Sequence, residues 1–320
     1  MEETERALFE SGVRRATETA DGAALDVALH DLGWRDALAA DRAAAVAVLF
    51  ESLGVTTTSS GALDWLLAAA LGVGDGVEGT AVVLPPLRLT DAPGRVDGDR
   101  CVVAGLGSAA MDRCDRTLVV ATSARGTTAF VVDPALLHRR RVHGLDPALG
   151  LVEVKGEFAR ADAQQCEPPA WAAALALGQL ALGHQLIGTG RVMLELARAH
   201  ALERVQFGRP IASFQAVRHR LAESLVMLDA AAALLDAVWE DPSPEAAAMA
   251  KAFAGKSARA TARHCQQVLA GIGFTTEHPL HHSVRRAIVL DQLLGAGAVL
   301  TRALGADILR DGALPAAFAL

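Results

Sequence analysis

From Pro168 to Gly190 the chain reads PPAWAAALALGQLALGHQLIGTG, with no charged residue. A stretch of that length has to be screened from water, either by lipid or by the rest of the protein. Gln179, His184 and Gln185 interrupt it, Gly and Ala recur through it, and it runs on into Arg191, Glu195 and Arg198 with helical character. We read it as a helix buried in a soluble bundle, whose small residues let neighbouring helices come close, and not as a membrane span. Such a helix needs partner helices elsewhere in the chain.

The remaining periodicity supplies them. Thr4–Thr19, Ala24–Leu38, Ala43–Leu53 and Ser60–Leu71 read as helices separated by short breaks containing Gly or Asp. Near Thr80 the texture changes to β-rich runs at Ala81–Leu84, Cys101–Val103, Thr117–Val120 and Phe130–Val132, with Asp97-Gly98 as a hairpin turn before Cys101. From Pro168 the chain is helical again. Ile211, Phe214, Val217, Leu221, Leu225, Leu228, Leu235 and Val238 recur at three- and four-residue steps as one buried stripe, and Ser243-Pro244 caps the next helix. With 320 residues there is room for more than one compact unit. The expected fold is α+β and mainly α: a helical N-terminal domain over residues 1–78, a small middle β domain over 79–166, and a C-terminal four-helix-type bundle over 167–320.

Charge and cysteine usage narrow the function. A net charge of −7 and a pI near 5.8 leave no basic excess for a phosphate backbone, so nucleic acid is not expected as a partner. Cys101, Cys114, Cys166 and Cys265 are far apart and form neither a CxxC pair nor a Cys/His ligand spacing, so neither a zinc site nor a disulfide framework is expected. Glu2, Glu3 and Glu5 at the start do not read as a signal peptide. A cytoplasmic location is the expectation.

Two segments carry chemistry. At Arg204-Val-Gln-Phe-Gly-Arg-Pro210 two helices are joined by a turn in which Gly208 permits an unusual backbone angle and Pro210 stops the first helix. Arg204 offers either a helix cap or a cationic fork suited to phosphate. Further on, Gln267-Val-Leu-Ala-Gly-Ile-Gly-Phe274 places Gly271 and Gly273 where another backbone or a cofactor could approach. Gln267 and Gly271 suit an ordinary helix end equally well. Lys251, Lys256, Arg259 and Arg263 suggest a partly basic helix surface, solvated or facing a subunit.

The run from Arg204 to Ala222 closely resembles the acyl-CoA dehydrogenase signature, R-x-Q-F-G-x-P-I-x-x-F-Q-x-V-x-x-x-L-A. The run from Gln267, with Arg285-Arg286-Ala287 beyond it, is similar to the family's Q-x-x-G-G-x-G-[FY] segment and the helix that follows. The hairpin from Arg95 to Val103 is similar to the family's D-G-D-x-[YW]-x-[LV]-x-G, while its T-E-P…G-S and W-I-T segments find no match. The resemblance implies FAD-dependent α,β-dehydrogenation of an acyl-CoA thioester. It further implies that Arg204, Gln206, Phe207, Gln267 and Gly271 contact the ADP half of an FAD held mainly by a neighbouring subunit.

The resemblance also implies a catalytic carboxylate opposite the flavin. Its usual position, in an E-G-T segment, aligns with Leu294-Gly295-Ala296; an alternative position about seven helical turns before the signature arginine falls near Gly178. Neither carries an acid. No catalytic residue is therefore assigned. The expectation is a non-catalytic subunit that shares FAD with a catalytic acyl-CoA dehydrogenase subunit, which holds the acyl-CoA, as in heteromeric two-plus-two assemblies of actinobacterial steroid catabolism. The rivals are a homomeric enzyme with Asp291 as relocated base and a flavin-free scaffold of the same fold.

Overall fold

The computed structural model describes residues 3–72, 79–166 and 170–312. Five helices come first: α1 (Glu3–Thr19), α2 (Gly22–Asp31), α3 (Trp34–Ala40), α4 (Arg42–Thr56) and α5 (Ala62–Ala70). Eight strands follow: β1 (Thr80–Val82), β2 (Gly94–Asp97), β3 (Arg100–Gly107), β4 (Arg116–Ser123), β5 (Gly126–Val132), β6 (Leu137–Arg141), β7 (Val152–Ala159) and β8 (Gln164–Cys166). The chain then returns to helix with α6 (Trp171–Glu203), the short hairpin β9 (Val205–Gln206) and β10 (Arg209–Pro210), α7 (Gln215–Glu240), α8 (Pro244–Leu269), α9 (Leu280–Gln292) and α10 (Gly297–Asp311). The mainly α character and the helix, strand, helix order are those expected.

Three local expectations need correction. Ala24–Leu38 is two helices, because the chain turns at Gly33 with φ +70° before Trp34 is buried against the carbonyl of Ala45 through its indole N–H. Strands β6, β7 and β8 were not foreseen, and β6 is an edge strand rich in arginine, whose pairing with β7 no apolar alternation announces. The stripe along α7 is buried only in its second half, at Leu228, Leu235 and Val238; Leu225 is half exposed, and Ile211 and Phe214 precede the helix.

The sheet runs β6-β7-β3-β2-β4-β5-β8, with β1 parallel to β4. Antiparallel β2 and β3 turn at Gly98 with φ +61°, as Asp97-Gly98 predicts. Its inner face joins one apolar core with the bundle, in which Val82, Leu118 and Val120 share a cluster with Leu182, Leu186 and Leu290.

The second half of the charge-free stretch lies at the centre of the molecule. Every residue from Gly178 to Gly190 is buried in α6, which packs against α4, α7, α8 and α9. Where α4 crosses α6 there is no room for side chains: a Cβ on Gly188 would stand 2.1 Å from the carbonyl oxygen of Glu51, and one on Gly54 would stand 2.2 Å from that of Gln185. Thr189 donates its hydroxyl to the Gly54 and Gln185 carbonyls at this crossing. Residues 280–311 are also long and apolar enough, by composition, to cross a membrane, but they break at Leu293–Ala296 between α9 and α10 and are half buried.

Polar side chains lock the three regions together. Asp64 on α5 accepts from the β1 backbone at Val82 (2.8 Å) and from Ser108 after β3. Arg286 on α9, almost wholly buried, pairs with Asp146 of the sheet region and donates to the carbonyls of Thr57 (2.7 Å) and Thr58 (2.8 Å) at the end of α4.

Candidate functional site

The last turn of α6, the β9–β10 hairpin and the turn after α8 enclose an open cavity of about 560 Å³. Its wall includes His200, Arg204, Gln206 and Ile211 from one side and Val268 to Ile272 from the other. The structure thus brings together Arg204, Gln206 and Gly271 of the five predicted contact residues. Gln267 is exposed on α8 outside that wall. Phe207 stands outside it too, at the hairpin tip, about nine-tenths exposed.

The chain is held to this shape locally. Phe207 (φ +52°) and Gly208 (φ +78°) both lie in the left-handed region, as a tight two-residue hairpin turn demands. Phe207 meets Phe214 edge to face at 6.1 Å, and the Arg209 guanidinium covers the Phe214 ring at 4.4 Å. The Arg204 carbonyl accepts from the Ile211 N–H at 2.8 Å, so the arginine is fixed at its backbone. Its guanidinium has no hydrogen-bond or ion-pair partner among the described residues. Opposite, a Cβ on Gly271 would meet no atom within 4 Å, whereas one on Gly273 would press on Leu269 and Gln266. Gly273 is needed by the chain's own packing; Gly271 keeps open a space that the chain itself does not use.

The two positions at which a base was sought lie against each other. A Cβ on Gly178 would be 2.5 Å from the Leu294 Cδ1 and 3.1 Å from the Leu67 Cδ2. Leu294, fully buried at φ +52°, fills the space over α6, and its carbonyl accepts from the Gln179 amide at 2.9 Å. The nearby gap between α4, α5, the sheet loops and α9 is only about 50 Å³, lined in part by Leu63, Leu182, Leu290 and Leu293. That is room for a water or two and not for an acyl chain. The segment after β1 also closes on the α9–α10 turn: Arg88 N–H donates to Gln292 (2.7 Å), Ala296 N–H to Arg88 (3.4 Å), and the Trp171 indole to the Thr90 carbonyl (3.0 Å).

Asp291 faces the other way. Its carboxylate is buried toward α8, where Oδ2 accepts from Arg259 (2.6 Å) and Gln292 (2.9 Å), and Oδ1 lies over the Cα positions of Gly255 and Gly297. Lys251, which sequence reasoning placed on a basic surface, is in fact buried. It donates to the carbonyls of Asp291 (2.8 Å), Leu293 (2.6 Å) and Gly295, so it caps α9 and fixes the turn that carries Leu294. Burial pushes its ammonium down to about 7, against the opposing pull of the Asp291 carboxylate.

Residues 170–309, which form this bundle, match the family model of the acyl-CoA dehydrogenase C-terminal domain. The bundle is thus similar to an acyl-CoA dehydrogenase C-terminal domain. Similar proteins include acyl-CoA dehydrogenase IpdE2 of Mycobacterium tuberculosis, 33% identical over 193 residues, and IpdE2 of Mycolicibacterium smegmatis, 36% identical over 129 residues. These matches cover 60% and 40% of this chain and span 57% and 42% of the two relatives. Among solved structures, the acyl-CoA dehydrogenase fold extends over nearly the whole chain. A Tcur3481-Tcur3483 steroid ACAD variant superposes with a TM-score of 0.78 at 23% identity, covering 96% of both chains. The ChsE4-ChsE5 complex from Mycobacterium tuberculosis gives 0.71 at 20% identity, again covering 96% of both.

FAD fits this chain at one end. The unpartnered Arg204, the Gln206 side chain and the open wall at Gly271 suit the ADP portion. The filled space at Gly178 and Leu294 does not suit an acyl chain beside a flavin ring.

Proposed function

We propose that this chain is the non-catalytic subunit of a heteromeric FAD-dependent acyl-CoA dehydrogenase. Its role is to complete the ADP side of a flavin site whose isoalloxazine pocket, acyl-CoA pocket and base belong to a longer partner. The observation that carries this reading is an asymmetry within one domain. The cavity at Arg204 is open and cationic, while both positions for the base are apolar and occupy one another.

When bound, FAD would accept the hydride from the substrate's β-carbon. The residues of this chain would bind and orient its other end. Arg204 would donate to phosphate, Gln206 would hydrogen-bond across the cavity mouth, and Gly271 would leave room for the approach. Phe207 and Gln267, outside the cavity and exposed, are suited to contact the partner-held part of the cofactor. Asp291 is placed to neutralise Lys251 and Arg259 and not to reach a substrate over Gly178. The steroid ACAD and ChsE4-ChsE5 likenesses support a paired assembly acting on a bulky acyl-CoA, and a cytoplasmic location fits such a role.

The test is purification of the chain alone and with an acyl-CoA dehydrogenase homologue that keeps the E-G-T glutamate. The reading expects a colourless single chain, a yellow co-purified complex and dehydrogenation by the complex only. Yellow, active protein from the single chain would favour a homomeric enzyme, and no flavin in either preparation would favour a scaffold.

A further inference from the structure

His200 lies one helical turn before Arg204 on α6 and lines the same cavity. Residues four apart share a helix face, offset by about 6 Å along the axis. Two donors so placed can meet neighbouring phosphates of one diphosphate, where a single donor meets only one. The His200 imidazole, like the Arg204 guanidinium, has no hydrogen-bond or ion-pair partner among the described residues. No carboxylate among the described residues lines the cavity beside them.

The opposite wall is strained. Ala270 ends α8 at φ +54° and ψ −134°, a conformation that glycine adopts freely and alanine does not. This turn presents Ala270, Gly271 and Ile272 to the cavity, and Gly271 keeps its space clear of side-chain atoms. Unpartnered donors on one wall and a strained, bare backbone on the other suit a built binding site better than a solvated crevice.

We propose that His200 is a second phosphate-binding residue, forming with Arg204 a two-point clamp for a nucleoside diphosphate. The inference rests on the ADP-side reading above and adds to it a residue that the signature motif does not include. In the clamp Arg204 engages one phosphate bidentately and His200 donates a ring N–H to the other.

The experiment is saturation-transfer NMR and calorimetric titration of the co-purified complex, freed of flavin, with ADP and with AMP, comparing the parent with His200→Ala, His200→Gln and Arg204→Ala in this chain. His200→Ala is expected to weaken ADP roughly tenfold, the scale of one hydrogen bond to a charged group, and to leave AMP nearly unchanged. His200→Gln, which keeps a donor, should recover most of the loss, and Arg204→Ala should weaken both ligands. Parent-like ADP affinity in His200→Ala, or an equal loss for ADP and AMP, would overturn the clamp while leaving the ADP site intact. Absence of ADP binding by the flavin-free parent complex would overturn the underlying reading and the clamp together.

Discussion

Ala270→Gly should stabilise this protein, against the usual cost of placing glycine in a chain. Alanine at φ +54° and ψ −134° carries strain of about 1–3 kcal/mol, because its Cβ crowds the neighbouring peptide groups. The Ala270 side chain is exposed, so deleting its methyl group removes no buried contact. Against the relief stands the greater freedom of glycine in the unfolded state, worth about 0.4–1 kcal/mol. The net expectation is a gain of roughly 0.5–2 kcal/mol. Equilibrium urea unfolding, followed by far-UV circular dichroism, would show it as a higher midpoint at unchanged slope. At this chain length a thermal shift would be only about 2 °C per kcal/mol, so the chemical transition is the sharper assay. A variant about 1 kcal/mol less stable than the parent would refute the argument, since that is the ordinary result where alanine is unstrained.

Arg204→Ala should lower flavin retention in the assembled complex by the equivalent of about 1.5–3 kcal/mol, read by cofactor titration, with little change in unfolding midpoint. Asp291→Asn should leave turnover of the complex nearly unchanged in a steady-state assay while destabilising the fold by about 1–3 kcal/mol; a fall of 10²–10⁴-fold in turnover with the complex intact and yellow would make Asp291 the base. Gly188→Ala should cost on the order of 3 kcal/mol in a urea titration, because the new methyl group would push against the Glu51 carbonyl and part α4 from α6. Asp64 gives a pH test. Burial raises its carboxyl from 3.8 to about 6, against hydrogen bonds from Ser108 and Val82. A raised folded-state value means that this contribution is full below pH 3.8 and is lost as pH rises through about 6. The difference in stability between parent and Asp64→Asn should therefore change by about 3 kcal/mol across that window, and a flat difference would remove the assignment.

What the sequence disclosed was what local physics determines. The charge-free run became the buried centre of α6, Asp97-Gly98 became a hairpin turn, and Ser243-Pro244 became the N-cap and first turn of α8, with the serine accepting from Ala246 N–H. Arg204, Gln206 and Gly271 met in one cavity because the motif fixes two turns that the bundle brings side by side. Other features needed the third dimension. Strand β6 has arginines where a buried strand would alternate apolar residues, and its register on β7 carries a cross-strand ion pair, Arg140 to Glu153 at 2.7 Å, that only the paired strands reveal. Lys251 shares a helix with Lys256 and Arg259 but, five residues before Lys256, lies on a different face, where the end of α9 receives its ammonium. His200 was not singled out in the sequence; its place one turn before Arg204 was the available signal.

The contact between Gly178 and Leu294 also bears on the order in which a lineage can move its catalytic acid. The two positions address one volume from different helices, so a carboxylate can enter from either side but not while the other side is filled. With leucine at 294, even the first carbon of a side chain at 178 lies 2.5 Å from a methyl group. Glutamate at 178 therefore becomes reachable only after residue 294 has become smaller, and the intermediate would contain a cavity in the middle of the core, at a cost of about 2–5 kcal/mol. From position 294 the path is shorter, because Gly178 opposite carries no side chain and a single substitution at 294 would bring in an acid. The leucine that now fills the space therefore closes only one of the two routes, and an acid returning to this fold would be expected at 294 before 178.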